Sequence, residues 1–399
     1  MSQKLDFIER ATAKGANVAA LCREYGVSRQ TGHKWIRRYR NDGYAGLVEQ
    51  SRRPVSSPLA TGEEIVASIL ELKQRHPSYG PQKISLILAR KLGTSAPSRS
   101  TVARVLLRLG KVKRRRASYC IWPVEGRPRV EVNAPNDLWT IDFKGWWRAL
   151  NGEKCEPLTV RDAFSRKVLA VVLVAKVEAV QVRRVLERLF RKHGLPLAMH
   201  SDNGSPFSSA RARGGLTVLS AWLVSLGIKL VRSRPGKPQD NGAHERMHRD
   251  LAELQIVPAR SRSAQQRQCD RWTIDFNEVR PHDALNGRTP SEVFRNSPRK
   301  FGPSRIPQYP PDWLTRRASD VGTVRVNGDT VFVASALARY VVGLKQETEL
   351  HWRARFFDVD LGVLEILPLH DAFRTDSVVR SVNLIYAKSG LQRHTSVSA

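Results

Sequence analysis

Acidic residues are scarce in this chain. Its 399 residues carry 37 Asp and Glu against 67 Lys and Arg, a formal charge of +30 and a pI near 10.8. So large an excess of one sign requires a polyanionic partner, and nucleic acid is the usual one. Cysteine is scarcer still. Cys22, Cys120, Cys155 and Cys269 stand far apart with no Cys-x-x-Cys pair. That excludes a disulfide framework and implies reduced thiols in a cytoplasmic protein. No apolar run approaches the roughly 20 residues that span a bilayer, and the N-terminus lacks the apolar stretch of a secretion signal. The expectation is an intracellular chain of about two to four domains that does not engage a membrane.

Residues 1–48 read as three short helices: Leu5, Ile8 and Ala11 form one apolar stripe, Gly26-Val27 makes a turn, and Ser28 is placed to cap a third helix from Arg29 to Arg40. Helix, turn and basic helix is the helix-turn-helix pattern, which points Arg29, Gln30, His33, Lys34 and Arg37 at DNA. Gly32 inside the third helix speaks against it, because glycine costs about 1 kcal/mol there. A linker rich in Ser, Pro and Arg follows at 49–61. A second helix-turn-helix or winged-helix module is expected over 62–116. Its last helix, from Ser98 to Leu109, presents Arg99 and Arg104, and a basic run containing Lys113 and Arg115 suits a phosphate backbone.

From about 130 to 297 the pattern changes to three β-prone segments and then alternating helix and strand, a mixed α/β domain. Three acids sit inside short signatures here: Asp142 in Leu138-Trp-Thr-Ile-Asp-Phe143, Asp202 in His200-Ser-Asp-Asn-Gly-Ser-Pro-Phe207, and Glu245 in Pro238-Gln-Asp-Asn-Gly-Ala-His-Glu-Arg246. A carboxylate closing an apolar run is costly to hold unless a cation shares the site. The glycines Gly204 and Gly242 leave room for a close approach, and Asn203 and Asn241 can tie the loops. Asp162 reads as a turn acid and Asp240 as a helix cap.

Those three acids, in that order and context, resemble the Asp-Asp-Glu core of insertion-sequence transposases with a retroviral-integrase-like domain. The resemblance implies a ribonuclease H-like core at 130–297 in which Asp142, Asp202 and Glu245 are catalytic and hold two Mg²⁺ ions, with Mn²⁺ able to substitute. It further implies cleavage and strand transfer on double-stranded DNA by a homo-oligomer, in the bacterial nucleoid. Arg246 and Arg249, on the Glu245 helix, become candidate phosphate contacts. The interval between Asp202 and Glu245 is longer than is commonest in these families, and the loop Ser208–Gly215 takes up the excess, with Arg211 and Arg213 free to meet DNA.

One competing motif lies in the same helix. His244-Glu-Arg-Met-His248 matches the zinc-protease pattern His-Glu-x-x-His, in which Glu245 would be a general base. It leaves Asp142, Asp202 and the charge unexplained. A DNA-binding regulator without catalysis is the third alternative. Farther on, Val324-Arg-Val-Asn-Gly-Asp-Thr-Val-Phe-Val333 is a hairpin signal. A small β-barrel is expected over 319–370, with another turn near Asp360-Leu-Gly362 and a mobile tail at 375–399. The whole reads as a multidomain α+β protein.

Overall fold

The computed structural model describes residues 2–49, 60–112, 130–234, 238–252, 254 and 257–366. Lys113, Arg115, most of the expected linker and the tail at 375–399 lie outside the described residues. The chain divides into two units, 1–62 and 63–399.

In the first unit α1 (Ser2–Thr12), α2 (Val18–Glu24) and α3 (Arg29–Asp42) surround Phe7, Ile8, Leu21, Cys22, Ile36 and Leu47. Asn17 accepts from the Ala20 amide at 3.1 Å and Ser28 from the Thr31 amide at 3.1 Å, so both later helices start on a satisfied cap. Gly32 has a packing reason. A Cβ there would lie 2.5 Å from Cys22 Sγ and 2.9 Å from Phe7 Cζ. Only glycine lets α3 approach its neighbours this closely.

The second unit opens with α4 (Glu63–Arg75), α5 (Pro81–Leu92) and α6 (Arg99–Arg108), packed around Ile69, Leu72, Tyr79, Ile84, Leu88, Val102 and Leu106. Ser98 caps α6, accepting from the Thr101 amide at 3.2 Å.

The α/β part is built on β1 (Leu138–Phe143), β2 (Trp147–Arg148), β3 (Lys154–Asp162), β4 (Val168–Val174), β5 (Ala198–Ser201) and β6 (Lys229–Arg232). β4 pairs with β3 and β3 with β1, both antiparallel; β1 pairs with β5 and β5 with β6, both parallel. Strand alternation sorts the faces. Trp139, Ile141, Leu158 and Val160 point toward α7 (Ala179–His193), whose Val182, Val185, Leu186, Leu189 and Phe190 recur at helical spacing, and toward α8 (Val218–Ser225). Each such side chain contributes about 1.5–3 kcal/mol on burial. The other face is covered by α9 (Gly242–Leu251) and α10 (Arg262–Ile274), through Met247, Leu251 and Cys269 against Val168, Val171 and Leu173.

The C-terminal strands do not close into the expected barrel. β7 (Leu314–Arg317), β10 (Val341–Gln346), β11 (His351–Phe356) and β12 (Val359–Glu365) form one open antiparallel sheet in the order β12-β11-β10-β7. β8 (Thr323–Val326) and β9 (Asp329–Phe332) form a separate hairpin. Its turn is the anticipated Asn327-Gly328, both at positive φ (52° and 91°). The turn expected near Asp360–Gly362 falls at Phe357-Asp358, between β11 and β12, and β12 then carries a register shift: Ala354 faces Gly362 while Arg355 faces Asp360, leaving Leu361 as the extra residue of a β-bulge. This sheet shares one apolar cluster with Leu216, Ala221 and Val224 of the α8 region. The loop 208–215 therefore has a structural use. Arg213 donates to the Val363 carbonyl at 3.0 Å, which ties the loop to the sheet.

Candidate active site

Asp142 lies on β1 one alternation beyond Thr140, so both belong to the face beneath α9. In the parallel pairing of β1 with β5, Thr140 sits opposite His200. Two residues on from each are Asp142 and Asp202, level with one another where the adjoining strands end. Asp202 is exposed, and its Oδ1 accepts from the Gly204 amide at 3.2 Å. A Cβ on Gly204 would stand 3.0 Å from Asp202 Oδ2, so that glycine makes room for the carboxylate. Glu245 is exposed on the first turn of α9. Asp142 is pushed up to about 6: burial acts first, a hydrogen bond from the Phe143 amide opposes it, and the charges of Asp202 and Glu245 add to it. Three like charges thus act on one another at the end of the sheet.

The helix is tied to the sheet by a buried hydroxyl. Thr159 is the cross-strand partner of Asp142. Its Oγ1 lies 2.9 Å from the Asp142 carbonyl oxygen, 2.6 Å from His244 Nε2 and 2.8 Å from His248 Nε2. A hydroxyl has one proton to give and two lone pairs. Thr159 donates to the carbonyl, so both imidazoles donate to it from Nε2. His244 Nδ1 then accepts from Thr140 Oγ1 at 2.7 Å. His248 is left with an unprotonated Nδ1 facing Asp142 Oδ2 at 4.0 Å. Burial, then the charges of Lys144 and Arg161, hold His248 down at about 4, so it is neutral at pH 7 and the contact is not an ion pair. Two acceptors turned toward each other suit a shared cation. Asp142, His244 and His248 bring one ligand atom each within 4.8 Å of one another. His244, fully buried with both nitrogens engaged by threonines, serves as a tie and not as a ligand. The paired-histidine zinc reading loses one of its two ligands.

Models of the integrase core domain match residues 132–238 and 226–290; a homeodomain-like domain model matches 31–106 and a helix-turn-helix domain model 3–54. An uncharacterized protein of insertion element IS407 from Burkholderia multivorans is 29% identical, covering 59% of this chain and 83% of its own. One of IS476 from Xanthomonas euvesicatoria is 25% identical over 70% and 79%, and one of IS136 from Agrobacterium fabrum 28% identical over 42% and 87%. The chain belongs to the insertion-sequence transposases with an integrase core.

In this transposase the expected DNA-facing residues are free of the cores. Arg29, Gln30, His33, Lys34 and Arg37 are all exposed on α3, Arg99 and Arg104 on α6, and Arg246 and Arg249 on α9. Asp162 keeps its turn role, accepting from the Asn136 amide at 2.7 Å and the Ser165 amide at 2.7 Å. Asp240 does not cap α9; it accepts from Arg234 Nη2 at 2.8 Å and from the Arg234 amide at 3.1 Å. Asn203 ties its loop to the Ser233 carbonyl at 2.6 Å, and Asn241 reaches Asp142 Oδ2 at 3.4 Å. Thr140, Thr159 and Arg161 were not singled out from the sequence. No local signal marks them, since a polar residue within a strand is ordinary until the element packed over it is known. No helix among the described residues is long and apolar enough to cross a membrane.

Proposed function

We propose that this transposase binds the ends of its element as double-stranded DNA through the N-terminal modules. It would then cut and rejoin phosphodiesters at Asp142, Asp202 and Glu245, as a cytoplasmic homo-oligomer. The observation that carries this reading is the level placement of Asp142 and Asp202 on adjoining parallel strands, with the Glu245 helix crossing the same face. The donor set fits a hard divalent cation. Carboxylate oxygens predominate, and Asp142 is raised first by burial and further by its two acidic neighbours. Two magnesium ions, or manganese in their place, would supply the charge that favours an oxygen nucleophile and a leaving alkoxide.

The chain's own residues do the rest. Asp142, Asp202 and Glu245 hold the cations, with His248 Nδ1 as a neutral donor beside Asp142. Thr159 and His244 fix the height of α9 over β1, and so the reach of Glu245 toward the strand ends. Arg246 and Arg249 on the same helix orient phosphates. Bringing two ends together calls for at least two copies of the chain. The test is strand transfer with Mg²⁺ or Mn²⁺ by Asp142→Asn, Asp202→Asn and Glu245→Gln. Each should lose cutting and joining and keep end binding, and joining at the wild-type rate would remove that residue from the site.

A further inference from the structure

The stretch His76-Pro-Ser-Tyr-Gly80, between α4 and α5, lies inside the segment 62–116 expected to be a second DNA-binding module. Its place in the fold is different. Tyr79 is 2% exposed and cannot read DNA. Its hydroxyl donates to Asp275 Oδ2 at 3.1 Å, and burial together with the Asp275 charge keeps the phenol protonated far above its ordinary range. His76 stacks on the Tyr79 ring, with centroids 4.3 Å apart and planes 9° apart, and its Nδ1 is 3.5 Å from the same Asp275 oxygen.

Asp275 opens a π-helical turn, Asp275–Val279, that follows α10 and delivers Arg280; the Arg280 amide donates to the Asp275 carbonyl at 3.0 Å. Arg280 is 8% exposed. Its guanidinium lies 5.6 Å from the Tyr79 ring centre and 5.0 Å from that of Phe276, and its Nη2 is 2.7 Å from Asp250 Oδ2. A buried guanidinium holds its place only through such partners, so removing one loosens the others. Asp250 is in the last turn of α9, five residues from Glu245, or about 7.5 Å along the axis.

We infer that His76 and Tyr79 form a clasp, closed on Asp275 and passed through Arg280 to Asp250, that positions the Glu245 helix for strand transfer. Both are positioning residues. The second helical module thereby reports its seating to the active site. The inference rests on the strand-transfer reading for its consequence but not for its contacts, so two readouts separate them.

The variants are Tyr79→Phe, which keeps the ring over Arg280 and loses only the hydroxyl, Asp275→Asn, and the pair together, all in the full chain. Hydrogen exchange of the α9 amides, without DNA or metal, should quicken about tenfold in each single variant, and no further in the double. At saturating end DNA the joining rate should fall about tenfold, while the Kd for ends changes less than twofold. Unchanged α9 exchange in both single variants overturns the clasp. So does a loss confined to Kd, which would make the motif a DNA contact. Should wild-type protein not join DNA, the strand-transfer reading fails and the exchange result alone decides the clasp.

Discussion

Asp142 is where folding and function pull against each other. Its carboxyl is raised from an ordinary 3.8 to about 6 in the metal-free fold. A carboxyl raised by folding binds its proton more tightly in the native state, so its ionisation opposes folding. The penalty is fully present above about pH 6 and fades as pH falls toward 3.8. It amounts to something on the order of 3 kcal/mol. Asp142→Asn should therefore raise the melting temperature of metal-free protein at pH 7.5 and lose that advantage near pH 4. Mg²⁺ should stabilise the wild type and leave the variant almost unmoved. A variant that melts below the wild type at pH 7.5, or that gains equally from Mg²⁺, would count against Asp142 as a strained ligand.

Among the elements, α9 depends on one hydroxyl. Thr159→Val keeps shape but removes the donor to the Asp142 carbonyl and the acceptor for two imidazoles. Buried polar groups left unmatched in this way cost about 1–3 kcal/mol each, so urea denaturation should show a loss of roughly 2–4 kcal/mol, with Thr159→Ser close to wild type. Equal stability of the valine variant would show that the hydroxyl is not the tie. The three acids and most core elements were legible in the sequence, because strand ends, caps and helical stripes are local signals. Helix Ala179–His193 and the Ser28 and Ser98 caps stand where periodicity and capping chemistry put them. Thr159 was not legible, since a lone threonine inside a strand is ordinary until the helix above it is known. Asp240 misled for the same reason: its capping chemistry is taken up by Arg234.

At the scale of the molecule the +30 charge predicts how DNA is held. End binding should weaken steeply with salt, by about 10³-fold or more between 50 and 200 mM if some six phosphates are neutralised. Alanine at Arg29, Gln30 or Arg99 should cost about 1–3 kcal/mol and blur the preference for end DNA over scrambled DNA. A competition assay at two salt concentrations measures both, and equal affinity for the two DNAs would leave electrostatics alone. The integrase core and the helix-turn-helix segments were readable from motifs, whereas the open C-terminal sheet was not. How the parts dock was not readable either. The clasp at Tyr79 and the shared cluster at Leu216 join residues far apart in sequence, and no local pattern announces such pairs.

That shared cluster has a consequence for the order in which the protein comes into being. Leu216, Ala221 and Val224 are covered by side chains from strands that run as late as residue 365. While the chain is being made, the helix after Asp202 must wait with its apolar side uncovered until nearly all of the C-terminal sheet has left the ribosome. Domains otherwise tend to complete themselves one after another during synthesis. Here one side of that helix is covered only when the C-terminal sheet is made, so a product cut short before it leaves Leu216, Ala221 and Val224 bare.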